Sequence, residues 1–527
     1  METRTHTSPA LGMDDSRGRA ARLLAEIEEI RESTAEDRLA GFLDTSYFAA
    51  CLLVPDALEE LLAAMPSRPD PLGARNALAR TFLHADAPVP VHASVQFGRW
   101  YAQTTSPGLR DRLGMLLLRL QQQTFDGRHD LAVRTAEELT VELNSAPDRS
   151  GIQDFLPAVL IGVGSAHLQA GSLDAAVGSY RSAARWAEAG SHPAHEHAES
   201  FVELVRALRA DGCPHEARRR IAPVHPRGAR SSLLWIWTCV AVLARGLRSL
   251  AAGDLHAAQE SLERIGLGPE GGDADALGQY WWVPLHLRAG IALRRGDRDR
   301  EAHLLRRGLE EHFPSVGPTS YAGSLLRADL ADLLQACHAD SEAAAVLDEA
   351  ERGVPTSQVL ASRARLLHLT GDDAGLDRLL ERTGRFHPLS SPELDVLRLL
   401  RRHARLPRQA PAAEDHDLWR AVMARAGDLE LSLLPAEAAA ASAPDGETPR
   451  PVGSGPFSRP DPAHLSRAER DLVATLRADD TIASVAQRMY LSPHTVKTRL
   501  RDIYRKLGVH SKEELFEHRG ALLHPPP

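Results

Sequence analysis

Through the middle of the chain one pattern recurs: a turn, a small residue, then apolar positions at helical spacing. It begins at Gly127 (GRHDLAVRTAEEL), Gly171 (GSLDAAVGSYRSA), Gly212 (GCPHEARRRIA) and Gly253 (GDLHAAQESLERI). It continues at Gly296 (GDRDREAHLLRRGL), His338 (HADSEAAAVLDEA) and Gly371 (GDDAGLDRLLER). Successive starts lie 44, 41, 41, 43, 42 and 33 residues apart. Before each turn runs another helical segment, such as LPAVLIGVGSAHLQA or CVAVLARGLRSLAA. The pattern predicts a stack of helical hairpins. Glycine leaves the first helix in a left-handed conformation. Ala176 or Ala258, five positions on, lets the second helix close on the first, with Tyr180 and Leu262 on the same face. No hairpin buries its apolar face alone, so neighbours must stack.

In two units a glycine stands seven residues before the turn, Gly164 before Gly171 and Gly246 before Gly253. With those glycines the pattern resembles tetratricopeptide repeats, although its period exceeds that family's, about 34, in most units. The expected fold class is therefore all-α: an α-solenoid of tetratricopeptide-like hairpins over residues 111–432. Residues 19–110 (RAARLLAEIEEIRE, PDALEELLAAM) read as helical without a clean repeat, either a cap or degenerate repeats. Residues 1–18 are expected to be a disordered tail. The Ala-, Pro- and Gly-rich stretch 433–463 reads as a flexible linker.

After residue 464 the pattern changes to four short helices. Ser466 and Glu469 form a capping box for a first helix reaching about Ala478. Thr481–Met489 predicts a second, with Ile482, Val485, Ala486 and Met489 on its buried face. Ser492 as N-cap and Pro493 at the first helical position open a third. Ser511 and Glu514 cap a fourth, ending near Leu523. A tight second-to-third connection is helix-turn-helix architecture. In the third helix Val496, Leu500, Ile503 and Leu507 form the buried stripe. Lys497, Arg501 and Arg505 then share another face with His494 and Thr498. Long cations on an exposed helix suit guanine edges or phosphates in the DNA major groove. Ser492 and Thr495 stand at the positive helix N-terminus, which favours a phosphate.

Three motifs, Leu465-Ser466 with Glu469, Ser492–Lys497 and Tyr504–Val509, make this segment similar to LuxR-type helix-turn-helix domains. The resemblance implies that Lys497, Thr498 and Arg501 face bases, and that Ser492, Thr495 and Arg505 lie near phosphates. His494 and Lys506 are added to the phosphate-contacting set from their place on the helix. It also implies a homodimer contact through the last helix, 511–523. Asp479-Asp480 replaces the usual glycine after the first helix, Val485 replaces an isoleucine, and Arg499 stands where a histidine is frequent. The acidic pair is expected near a phosphate-facing edge, where it would weaken affinity.

Composition sharpens this picture. Net charge is −9, but from His464 onward 11 Lys and Arg face 8 Asp and Glu, or +3, leaving −12 for the rest. A small basic module on an acidic body indicates a local polyanion site. All three lysines (Lys497, Lys506, Lys512) lie in the last 31 residues. A phosphate-binding ATPase loop and a Schiff-base lysine are thereby excluded from the body. Without a convincing strand series there is also no receiver domain and no α/β autoinducer-binding domain. Four scattered cysteines suit a reducing cytoplasm, and the apolar run Leu233–Ala244 is too short to span a membrane.

Remaining candidates are weak. His192, His195 and His197 match no zinc spacing and read as a solvated loop. Tyr280, Trp281 and Trp282 read as core, with stacking on a ligand as the other option. No catalytic constellation, metal or cofactor is expected. The reading is a cytoplasmic transcription regulator binding double-stranded DNA, its body sensing a protein or small-molecule effector. The alternative is an interaction scaffold in which DNA binding is secondary.

Overall fold

The computed structural model describes residues 11–33, 36–65, 91–209, 233–267, 274–311, 320–383, 467–477 and 480–507, less Pro147, Ser191 and Tyr490, with scattered positions between. Among the described residues every regular element is a helix. The chain divides into two compact units. One comprises Met1–Arg363 with 386–391, and the other Ala364–Arg385 with 392–527.

In the first unit the N-terminal region folds as α1 (Leu11–Ser33), α2 (Glu36–Thr45), α3 (Tyr47–Leu53) and α4 (Pro55–Ala63). Helix α1 starts at Leu11, so the expected tail of 18 residues is too long by at least eight. Its first turns lack an apolar stripe and gave no periodic signal, while Asp14 and Asp15 at the positive helix end favour the helix. Helix α5 spans Val91–Gln103.

Five hairpins or neighbouring helix pairs follow. They are α6 (Leu109–Phe125) with α7 (His129–Ser145), α8 (Leu156–Gln169) with α9 (Leu173–Ala189), and, after α10 (Ala194–Leu208), α11 (Leu233–Ala251) with α12 (Leu255–Arg264). Next come α13 (Trp282–Arg295) with α14 (Arg298–Glu311), and α15 (Tyr321–Ala336) with α16 (Asp340–Ala350). Consecutive helices pack on one another from α8 through α12. The apolar run from Leu233 opens α11, with residues 235–244 buried, and no described helix is long and apolar enough to cross a membrane.

The turns explain the period. At Gly171 (φ 78°) the Ser172 N–H reaches back to the His167 carbonyl at 2.8 Å, and the Gly171 N–H to Leu168 at 3.0 Å. This pair of bonds satisfies carbonyls that the helix end leaves open. The Gly127 and Gly253 turns repeat it, whereas the Gly212 turn lies outside the described residues. At the fifth hairpin His338 takes the glycine's place with φ 62°, and Ala339 still bonds back to Leu334 at 2.9 Å. A left-handed L-residue is strained by about 1–2 kcal/mol. His338→Gly is therefore expected to stabilise the body by about 1 kcal/mol, read as a higher urea midpoint.

Helix closure depends on small residues. Ala132, Ala176, Ala258 and Ala343, each five positions after its turn, are fully buried. In the Gly296 hairpin the place is taken by Glu301, which is buried beside Arg288 at 3.1 Å. Gly164 is a contact point as well: a Cβ there would lie 2.5 Å from the Tyr180 ring.

In the second unit α17 (Ser357–Thr370), which crosses the boundary, turns at Gly371 into α18 (Asp373–Arg382). The C-terminal module contributes α19 (Arg467–Thr475), α20 (Ile482–Arg488) and α21 (Pro493–Leu507). The linker 433–463, Ser466 and most of the last helix lie outside the described residues.

Candidate nucleic-acid interface

The C-terminal module is held by one small core. Leu472, Val473 and Leu476 of the first helix and its end meet Val485 and Ala486 of α20. Val496, Leu500 and Ile503 of α21 and Leu515 complete it, with Met489 and Leu491 packed at its edge. Ile482 departs from the pattern, being 40% exposed. It is the first residue of a seven-residue helix, where the Cβ tilts back toward the helix's own N-terminus. Phase alone places it inside; the helix end puts it out.

Caps fix where α20 and α21 begin. Thr481 Oγ1 accepts from the Ser484 N–H at 3.2 Å, and Ser484 Oγ accepts from the Thr481 N–H at 3.0 Å. Ser492 Oγ accepts from the Thr495 N–H at 3.0 Å and lies 2.7 Å from the Thr495 hydroxyl. The turn between them is closed by the Leu491 N–H on the Ala486 carbonyl at 2.9 Å.

Along α21, Lys497 and Arg501 are exposed, one helical turn apart, with Thr498 half-buried between them. Ser492 is exposed and Thr495 half-buried at the helix start. The side chains of His494, Arg505, Lys506 and Leu507 lie outside the described residues, although their backbone is helical. Of the three lysines, Lys512 is tied down. Its Nζ donates to the Asp480 carbonyl at 2.7 Å and sits 6.0 Å from the Phe516 ring centre.

Asp480 corrects a further expectation. Its carboxylate turns inward, accepting from the Arg488 guanidinium, from the Arg477 N–H at 2.8 Å and from the Ser484 hydroxyl at 3.1 Å. The Arg488 hydrogen bond holds this carboxyl below the usual range. Asp480 thus clasps the end of the first helix to α20 and is not a free negative charge. Asp479 lies outside the described residues.

The histidine stretch in the body is not a solvated loop. His192 and His197 are buried, and α10 begins at Ala194. His192 Nδ1 accepts from the Ala194 N–H at 3.1 Å, so its Nε2–H is the donor to Asp154 at 3.0 Å. Asp154 also accepts from the Phe48 and Ala49 N–H groups, at 2.6 and 3.1 Å. The three rings have separate partners, and among the described residues no group of His, Cys, Asp or Glu is arranged to hold a metal. Burial, helped by nearby His192, pushes His197 down to about 4. A buried neutral histidine adds a penalty that begins below its ordinary value near 6.5 and is complete near 4. Stability of the body is expected to fall by roughly 3 kcal/mol across that window, and His197→Phe should flatten that part of the urea-midpoint profile.

A capped, apolar-backed helix with an exposed cationic face, preceded by a short helix across a tight turn, defines a helix-turn-helix module. Residues 463–518 match the family described as bacterial regulatory proteins, luxR family (GerE), and form a LuxR-type helix-turn-helix domain. Such a domain supports DNA-binding transcription regulation, carried here at the end of a helical body. No curated protein and no solved structure matches the chain.

Proposed function

We propose that the protein is a non-enzymatic transcription regulator whose α21 reads the DNA major groove, and whose body, a tetratricopeptide-like solenoid, senses an effector. The observation that carries the reading is the pairing of exposed Lys497 and Arg501 on one face with buried Val496, Leu500 and Ile503 on the other. In this reading Lys497, Thr498 and Arg501 contact base edges. Ser492, His494, Thr495, Arg505 and Lys506 contact phosphates, aided by the dipole of α21. The segment 511–523 joins two copies, so the operator is expected to hold two half-sites related by dyad symmetry.

Selection of bound fragments from a genomic pool tests this reading. A recurrent sequence is expected, and its absence would remove sequence-specific recognition. Salt dependence provides a second check. Arg505 and Lys506 from each of two copies neutralise four phosphates, giving a slope of log affinity on log salt of about −4. Arg505→Gln should flatten it by about two units, one per copy.

A further inference from the structure

Within the first unit α3, α6, α8, α11 and the 3₁₀ segment Ala274–Tyr280 line a partly open cavity of about 60 Å³. One water needs only about 10–15 Å³ on that scale, so there is space for a small organic molecule. Its walls are aromatic and aliphatic: Phe48, Phe125, Trp237 and Tyr280, with Leu117 and Ile236 between them. The room comes from small residues on one face of α8, Ala158, Gly162 and Ser165. A Cβ on Gly162 would lie 2.6 Å from Leu117 Cδ1, so α6 and α8 already approach as closely as they can. Gly278, at φ 55° and ψ −127°, bends the 3₁₀ segment so that both Leu277 and Tyr280 front the cavity.

The polar groups there are all neutral. Ser165 Oγ donates to the Ile161 carbonyl at 2.9 Å and lies 2.5 Å from the Tyr280 hydroxyl and 3.2 Å from that of Tyr180. Burial pushes the Tyr280 hydroxyl up to about 12, so it stays protonated. Gln279, also in the lining, donates from Nε2 to the Tyr280 hydroxyl at 3.3 Å. Gln121 of α6, half-buried and part of the lining, has no hydrogen-bond partner for its amide among the described residues. No lining residue is Asp, Glu, Lys, Arg or His. An ion entering would lose hydration with no countercharge, whereas a ring would meet rings and a hydroxyl would meet amides.

We propose that this cavity binds a small uncharged aromatic molecule carrying one hydrogen-bonding group, its ring against Trp237 and Phe125 and its polar group on Gln121 and Gln279. The proposal rests on the reading of the body as the sensing part and gives that part a ligand class. It is tested by calorimetric titration of the full chain with phenol, with benzoate as the charged counterpart and cyclohexanol as the non-aromatic one. Phenol is expected to bind saturably, with benzoate and cyclohexanol at least tenfold weaker. Ala158→Leu, which fills the cavity, is expected to weaken phenol at least tenfold, and Gln121→Leu at least threefold. No saturable heat from phenol, equal binding of benzoate, or unchanged affinity in Ala158→Leu overturns the proposal. If Ala158→Leu fails to fold, Gln121→Leu decides, and an unchanged affinity there overturns it. DNA retardation by the same preparation separates the two readings. Retardation without phenol binding removes the cavity proposal alone, and phenol binding without retardation removes the regulator reading alone.

Discussion

Tyr180→Ala is expected to destabilise the helical body by about 3–5 kcal/mol. Tyr180 is fully buried on α9, stacked on Phe201 with ring centres 5.1 Å apart and planes 20° apart. Its ring fills the notch that Gly164 leaves on α8. Removing it leaves a void between helices of one hairpin and takes a partner from the Ser165 hydroxyl. Neighbouring aromatic rings cannot collapse into that void without abandoning Tyr280 and Trp237, which Phe201 also touches. Tyr180→Phe keeps the ring and loses only the hydroxyl, so it should cost about 1 kcal/mol. All seven tryptophans precede residue 420, so urea unfolding followed by tryptophan fluorescence reports on the body. A Tyr180→Ala midpoint equal to that of Tyr180→Phe would contradict this packing.

What was legible in the sequence follows from how local each cause is. A left-handed turn residue and the small residue five positions later act within one hairpin, so the hairpins were readable, even at His338, where phase stood in for glycine. The cap at Ser492 is equally local. Ile482 is exposed although its phase is that of the core, because phase does not distinguish the first residue of a short helix from its interior. The histidine stretch carries no local sign of its burial, because the partner of His192 is Asp154, 38 residues earlier. Asp480 looked like a surface acid because its inward turn depends on Arg488, eight residues on. The aromatic cavity draws on residues from Phe48 to Tyr280, and only their meeting gives it meaning. Tyr280 was visible as part of an aromatic cluster, while Gln121 carried no signal.

The second large effect is on DNA. Lys497 and Arg501 are expected to contribute roughly 1–3 kcal/mol each to recognition of the right bases. Both are exposed on α21, and Val496 and Leu500 beside them are buried, so their truncation leaves the module's core intact. Separate variants should therefore fold as the parent does and lose affinity. Because they lie one helical turn apart and are expected to read neighbouring bases, their losses need not add. Arg488→Ala serves as the contrast: it releases the Asp480 clasp, so any loss of DNA binding should come with loss of module stability.

The most direct measurement compares the parent chain with the Lys497→Ala/Arg501→Ala double variant in gel retardation on the selected fragment and on a scrambled one. The double variant is expected to bind the selected fragment at least a hundredfold more weakly, with little change on the scrambled one. Equal affinity of parent and double variant for the selected fragment would mean that α21 does not read the bases through Lys497 and Arg501.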